Sequence, residues 1–584
     1  MKYLINEYEF TTDSTYKIQF EGIKNEDNYA AIKIGIDFGE KCSPNPVIIK
    51  WTTSGAGVVA IWQPLGGQAT MIKPDWSKTQ TPSRLACGMP IQLYHSVNGE
   101  NVITVALKDV KTPCVISSGM YEENACINWE LKLFSELTAP MEKYETELII
   151  DKRKTPFYEN VEGVRQLWSN EEDKYIPETA KQPFYSTWYS MHQNLSSKEL
   201  IDELTEAKKY GLNNIIIDDG WQTEDNTRGY TFCGDWMPAE GKVGKIQELT
   251  ATMHDMGIKC MLWFSIPFVG GHSEAYDKFK DKFIRKTKDP YDDEYTGVLD
   301  TRYPEVREYL ISTYEKAVKE WKFDGLKLDF IDAIQFEDDI SVKDGMDFVS
   351  LEDSVEALLK DTYQRLRNIN PDVLIEYRQP YVGPIMCKYS NMLRVVDCPK
   401  NIIANRMGVI NLRLTSGNNA VHSDMLMWSC EESAEDAALQ LINVLFSAIQ
   451  VSMILKRLPE LHRKMLKFYL DFAKRYKKLL LDTPIKAYQP EAGYGMASAE
   501  NDDSMLSILY LPQSVVVDKK YKKTIIVNGT GINNVIIENK AGEFDAAINT
   551  YDCTGAKKEF KLHISQGVMS FEVPRSGVME ICAL

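Results

Sequence analysis

The chain has 584 residues, too many for one hydrophobic core, so two to four domains are expected. Hydrophobic residues make up 44% and aromatic residues 11%, the stock of an ordinary globular protein. A formal net charge of −17 argues against nucleic acid or an anionic membrane surface as a partner.

The first residues, MKYLINEYEF, are broken up by Asn6, Glu7 and Glu9 and lack the apolar core of a signal peptide. No segment is apolar enough to be read as a membrane span. Eleven cysteines run from Cys42 to Cys582 with no CxxC pair, the usage expected of reduced thiols in a cytoplasmic protein. Seven histidines include no HExxH spacing, and no glycine-rich phosphate loop appears. Neither a metal nor an organic cofactor is therefore expected.

Residues 1–170 contain short alternating segments such as YAAIKIGIDF, PVIIKWTT and VITVALKDV, separated by turns at Pro44–Pro46 and Asn98-Gly99. That texture predicts an antiparallel β-sandwich. A polar stretch, WSNEEDKYIPETAKQP, reads as a linker. Across 178–482 strands alternate with helices: PFYSTWYS, SKELIDELTEAKKYG, NNIIIDDGW, KVGKIQELTATMHDMG, KCMLWFSIP. Such alternation over about 300 residues predicts a parallel (β/α)8 barrel. The absence of GxGxxG after the first strand weakens a dinucleotide-binding alternative. From 485 to 584 β texture returns (MLSILYLP, KKTIIVNG, SFEVP), giving a C-terminal antiparallel sandwich.

The run DGLKLDFID carries the most information. Leu326, Leu328 and Phe330 alternate with Lys327 and Asp329, which predicts a half-buried strand ending in a carboxylate with a lysine on the same face. Barrel enzymes place their chemistry at that end of a strand, and a neighbouring cation keeps a carboxylate ionised for nucleophilic attack. The alternative is an aspartate that caps the next helix or pairs with the lysine. Other predicted strand ends are polar too: Asp218-Asp219-Gly220-Trp221, Glu376 with Arg378, and Arg394 with Asp397. Trp188, Trp236 and Trp263 supply flat apolar surfaces nearby. Paired carboxylates and aromatic platforms suit a carbohydrate, although Asp-Asp-Gly by itself is more often a turn.

IIIDDGWQ, the GDW at Gly234–Trp236, CMLWFSIP, VLDTRYPEVREYL and GLKLDF occur in the order seen in α-galactosidases of glycoside hydrolase family 36. The chain also resembles the wider clan that holds family 27 and the raffinose synthases. The resemblance implies a (β/α)8 barrel between an N-terminal β-supersandwich and a C-terminal β-domain. It implies a retaining exo-α-glycosidase, most simply an α-galactosidase of carbohydrate metabolism acting on an oligosaccharide or glycoside. α-N-acetylgalactosaminidase activity and raffinose-synthase-like transfer stay open, and the family's habit of forming trimers or tetramers implies a homo-oligomer. Asp329 would be the nucleophile and Asp397, 68 residues on, the general acid/base. Asp218 and Asp219 would accept hydrogen bonds from the sugar's 4- and 6-hydroxyls. Lys327 and Arg394 would hold hydroxyls, Trp221 or Trp236 would pack on the ring, and Trp51 would reach in from the N-terminal domain.

The flanking residues add detail. Asp397 sits between valines and Cys398-Pro399, which predicts a desolvated carboxyl with a raised pKa; an ion pair with Arg394 is the alternative. The family's Cys-Ser-x-Gly-Gly segment after strand five is replaced by IEYRQPYVGP, with Arg378 where the cysteine is expected. Arg378 would then read the sugar's 2-position, unless it pairs with Glu376. The acid/base region offers Asp397 followed by Cys398 rather than an SDxTD motif, and a thiol is a poor general acid. Asp424, in VHSDM, is held in reserve.

Overall fold

The computed structural model describes every residue except 6, 68 and 170–173. Part of the stretch read as a linker, 170–173, therefore lies outside the described residues.

Two six-stranded antiparallel sheets form the N-terminal sandwich, with all their strands between Lys2 and Asp151. In the long strand Tyr29–Cys42 the period of two is visible directly. Ile32, Ile34 and Ile36 are buried, while Lys33 between them reaches out to Glu145.

The barrel has eight parallel strands: β1 (Phe184–Ser186), β2 (Asn214–Ile217), β3 (Lys259–Ser265), β4 (Gly325–Asp329), β5 (Leu374–Arg378), β6 (Met392–Arg394), β7 (Ala420–His422) and β8 (Gln450–Val451). β8 pairs with β1, and a parallel bridge between His422 and Ala448 joins β7 to the segment entering β8. Alternation stacks the interior in layers. Phe184, Ile216, Met261, Leu374, Met392 and Ala420 make an apolar plug in the lower part. Two residues farther along five of those strands stand Asp218, Trp263, Glu376, Arg394 and His422, with Lys327 in register between Trp263 and Glu376. An apolar floor therefore carries a charged layer.

One element was not anticipated from sequence. Between β3 and the helix Pro304–Lys319 lies a three-stranded antiparallel sheet, Phe268–Gly270, Tyr295–Leu299 and Phe283–Lys288. The C-terminal domain also departs from the pure antiparallel expectation. Its sheets of seven and three strands are mixed: Ser504–Leu509 runs parallel to Lys523–Asn528, and Ser514–Val517 parallel to Asn534–Asn539. The chain alternates between the two sheets here, and such crossovers permit parallel neighbours.

Candidate active site

Asp329 closes β4, and Phe330 turns the chain with φ 65°, in the left-handed region. That turn brings the Phe330 N–H back onto Asp329 Oδ1 at 3.0 Å. The same oxygen accepts from Arg378 Nε at 3.0 Å and from the Tyr381 hydroxyl. Oδ2 accepts from Trp263 Nε1 at 3.1 Å. Both oxygens are thus acceptors of fixed donors, and Lys327 Nζ stands 3.9 Å away. Lys327 makes its closer contact with Asp218 Oδ2, at 2.6 Å. Asp219 is clamped by two amides, Gln193 at 2.8 Å and Gln222 at 2.7 Å; burial nevertheless pushes its carboxyl up to about 6.

A second group centres on Arg394, which is buried. Its Nη1 donates to Asp397 Oδ1 at 2.8 Å and to Asp424 Oδ1 at 2.7 Å, while Nε lies 3.6 Å from Glu376 Oε1. One guanidinium cannot hold three carboxylates ionised in a water-poor barrel. Burial raises Glu376 to about 7, against the pull of Arg394 and Lys327. Burial also raises Asp424, which accepts from Tyr189 Oη at 2.9 Å and the Cys398 N–H at 2.7 Å. In the same layer burial drops His422 to about 4. The neutral ring faces the Ala180 carbonyl through Nε2, at 2.7 Å, and Gln450 Nε2 through Nδ1, at 3.2 Å. Gln450 Nε2 also donates to Glu376 Oε2 at 2.6 Å.

Asp397 behaves differently from the sequence expectation. Its side chain is 39% exposed, on the loop after β6. Burial by the surrounding protein would raise its pKa, but Arg394, Lys327 and Arg378 outweigh that and hold the carboxyl below its usual range. The raised member of this pair is Asp424, which is fully buried. Lys327 and Arg378, which also lie against Asp329, act on Asp397 too, so the two carboxylates share those cations.

Several further expectations need correction. Trp51 is buried in the N-terminal sandwich, stacked on Trp129 at 5.9 Å and tilted against Phe10, so it offers no face to a barrel ligand. Trp221 is fully buried; its Nε1 donates to the Trp263 carbonyl at 2.8 Å, and Trp236, Phe264 and Trp321 surround it. Trp236 is stacked on Trp221 and lies edge-on to Trp263. These two indoles form the layer behind Trp263, whose own Nε1 reaches the carboxylate. Arg394 lies below the cleft and grips carboxylates rather than presenting donors to a sugar. Arg378 pairs with Asp329 and not with Glu376, because Glu376 points into the barrel toward Gln450. Trp188 stays half-buried against His192.

Sequence reading missed Tyr381, Gln193, Gln222, Tyr189 and Gln450. The YRQPY run offered a signal for Tyr381, since a tyrosine just past a strand end can fold back over it. The three glutamines come from separate loops and strands and carried none.

Comparison with known proteins fits this geometry. Residues 173–376 match the melibiase family profile. The bifunctional α-galactosidase/sucrose kinase of Mediterraneibacter gnavus is 26% identical over 146 residues, 25% of this chain and 16% of that protein. α-Galactosidase 2 of Pediococcus pentosaceus is 25% identical over 207 residues, 34% of this chain and 27% of that protein. These matched segments thus span well under a third of either curated relative. In solved structures the likeness runs through the whole chain. The α-galactosidase of Lactobacillus brevis superposes with a TM-score of 0.63 at 14% identity, covering 99% of this chain and 86% of that one. The family 36 α-galactosidase AgaA of Geobacillus stearothermophilus, solved in complex with raffinose, gives 0.63 at 12% identity, covering 100% and 84%. In part of its barrel sequence the chain is thus similar to the melibiase family, and in its three-part fold to solved family 36 α-galactosidases.

Proposed function

We propose that this protein is a retaining exo-α-glycosidase that removes terminal α-galactosyl residues from oligosaccharides or glycosides. The observation that carries the reading is the setting of Asp329. It ends a barrel strand with four donors fixed on its two oxygens and Lys327 alongside. A carboxylate held that way is oriented for in-line attack, and the same donors stabilise it as the leaving group when the glycosyl ester breaks down. Asp397, open to the cleft, is positioned to protonate the departing oxygen and later to take a proton from water. Lys327 and Asp218 form one linked pair beside the nucleophile, suited to hydroxyl groups of a sugar. Structurally similar family 36 α-galactosidases solved in complex with raffinose and with stachyose favour an oligosaccharide substrate. Eleven free thiols, and no helix among the described residues long and apolar enough to cross a membrane, favour a cytoplasmic protein.

The test is covalent labelling with a mechanism-based galactosyl inhibitor, followed by peptide mapping. The label should fall on Asp329. Asp329→Asn should fold normally and lose about 5 kcal/mol of transition-state stabilisation, roughly four powers of ten in rate. A label on another residue overturns the assignment. Aryl α-galactoside, α-N-acetylgalactosaminide, α-glucoside and β-arabinopyranoside compared side by side fix the sugar.

A further inference from the structure

At the end of the barrel opposite the cleft, three side chains of different chemistry meet. His254 lies in the last turn of the helix Ile246–Asp255, Cys260 is the second residue of β3, and Asp324 immediately precedes β4. Strand pairing holds two of them together. The Asp324 N–H donates to the Cys260 carbonyl at 2.8 Å, and the Cys260 N–H donates to Asp324 Oδ2 at 2.9 Å. His254 Nε2 lies 2.9 Å from that same Oδ2 and 3.8 Å from Cys260 Sγ, and Sγ lies 3.7 Å from Oδ2.

One imidazole nitrogen faces both other groups. A thiol–imidazole–carboxylate relay uses the two ring nitrogens in series, so this cluster is not a nucleophilic triad. The triangle instead suits a shared cation. With bonds of about 2.3 Å to sulfur and 2.0–2.1 Å to nitrogen and oxygen, tetrahedral geometry separates the ligand atoms by roughly 3.3–3.6 Å. The carboxylate is already oriented: Lys259 Nζ holds Oδ1 at 2.8 Å while the Cys260 N–H holds Oδ2, as outer partners orient metal ligands. His254, with 34% of its side chain exposed, opens a route from solvent.

We propose that His254, Cys260 and Asp324 bind one divalent transition cation of the zinc class, with water as the fourth ligand. A thiolate, an imidazole and a carboxylate select zinc or cobalt over magnesium or calcium. Binding forms bonds from the metal to Sγ, Nε2 and Oδ2. The Cys260 thiol proton leaves to solvent, and the His254 ring keeps its proton on Nδ1. No redox change is involved. The ion ties the helix end to the starts of β3 and β4, on the face of the barrel where side chains serve stability rather than chemistry. The site is independent of the hydrolytic reading.

Cobalt(II) is the probe, added to the chelator-treated full-length protein. The wild type should develop a thiolate-to-cobalt charge-transfer band and tetrahedral d–d bands that saturate at a single equivalent and vanish when zinc displaces cobalt. Zinc should also raise the melting temperature. Cys260→Ser should remove the charge-transfer band. His254→Gln, at a partly exposed helix end where the fold is not at risk, should weaken cobalt binding by roughly tenfold or more and cancel the zinc-induced melting shift. The proposal is overturned by no charge-transfer band in the wild type, by a band that survives Cys260→Ser, or by undiminished cobalt affinity in a folded His254→Gln protein.

Discussion

At the scale of single residues the site divides two properties that a general acid normally combines. Asp397 has access to the cleft but is held ionised by three cations; Asp424 has the raised pKa but is enclosed by Arg394, Tyr189 and the Cys398 N–H. Access decides the matter, because a proton must reach the glycosidic oxygen directly or through one water. Asp397→Ala should therefore retain most of its glycosylation rate on a dinitrophenyl galactoside, whose leaving group needs little protonation. It should lose two or more powers of ten, roughly, on raffinose-like substrates. Azide should restore turnover where deglycosylation is limiting. If Asp424→Ala gives this pattern and Asp397→Ala does not, the roles are exchanged. Sequence made the strand that carries Lys327 and Asp329 legible because KxD on an alternating strand fixes which side chains share a face. It could not reveal which of two aspartates on neighbouring strands keeps its proton. That depends on Arg394, which lies between them only once β6 and β7 pair in register.

At the scale of elements the barrel was readable because each strand is a short apolar run between amphipathic helices. The inserted sheet after β3 was not, since its strands are partly exposed and charged, as in Arg285-Lys286 and Lys288. Burial layers were equally invisible: nothing in the run LIEYR says that Glu376 points inward to a charged layer shared with His422. This placement has a consequence for stability. A glutamate raised from an ordinary pKa near 4.3 to about 7 binds its proton more tightly folded than unfolded. The stability it lends is therefore full below about pH 4 and is lost as the pH climbs through 7. Glu376→Gln keeps the neutral form and the volume at every pH. Its urea midpoint should fall less than the wild type's between pH 5 and 7.5, the difference reaching on the order of 3 kcal/mol. Asp219 and Asp424 act in the same direction but are common to both proteins, so the comparison isolates Glu376. Parallel pH profiles for the two proteins would show that Glu376 is ionised in the folded barrel.

At the scale of the whole molecule the flanking domains do more than decorate the barrel. Besides private cores in each sandwich, one apolar cluster runs through all three parts, from Trp62 and Leu85 through the barrel to Tyr494 and Ile525. Trp62 Nε1 donates to the Tyr494 hydroxyl at 2.9 Å and to Asn411 Oδ1 at 3.3 Å, so N-terminal domain, barrel helix and C-terminal domain meet in one buried polar knot. A second junction lies near the chemistry. Arg84, from the N-terminal domain, donates through Nη2 to the Asp332 carbonyl at 2.7 Å, three residues past Asp329. The Gly88 N–H donates to the Pro380 carbonyl at 3.1 Å, next to Tyr381. The loop 84–88 thus braces two of the three segments that aim donors at Asp329, the third being β3 with Trp263. These two junctions predict different phenotypes. Tyr494→Phe removes a buried hydroxyl and should cost about 1–3 kcal/mol of stability with kcat unchanged. Its melting shift should be only about 1 °C per kcal/mol, because unfolding entropy grows with chain length. Arg84→Ala frees the loop after β4 and should lower kcat by on the order of tenfold, since small misplacements of a reacting group cost rate steeply. It should hardly move the unfolding transition, because Arg84 is partly exposed and its ion pair with Glu136 is worth little. Full kcat in Arg84→Ala would show that the barrel positions Asp329 without help from the N-terminal domain.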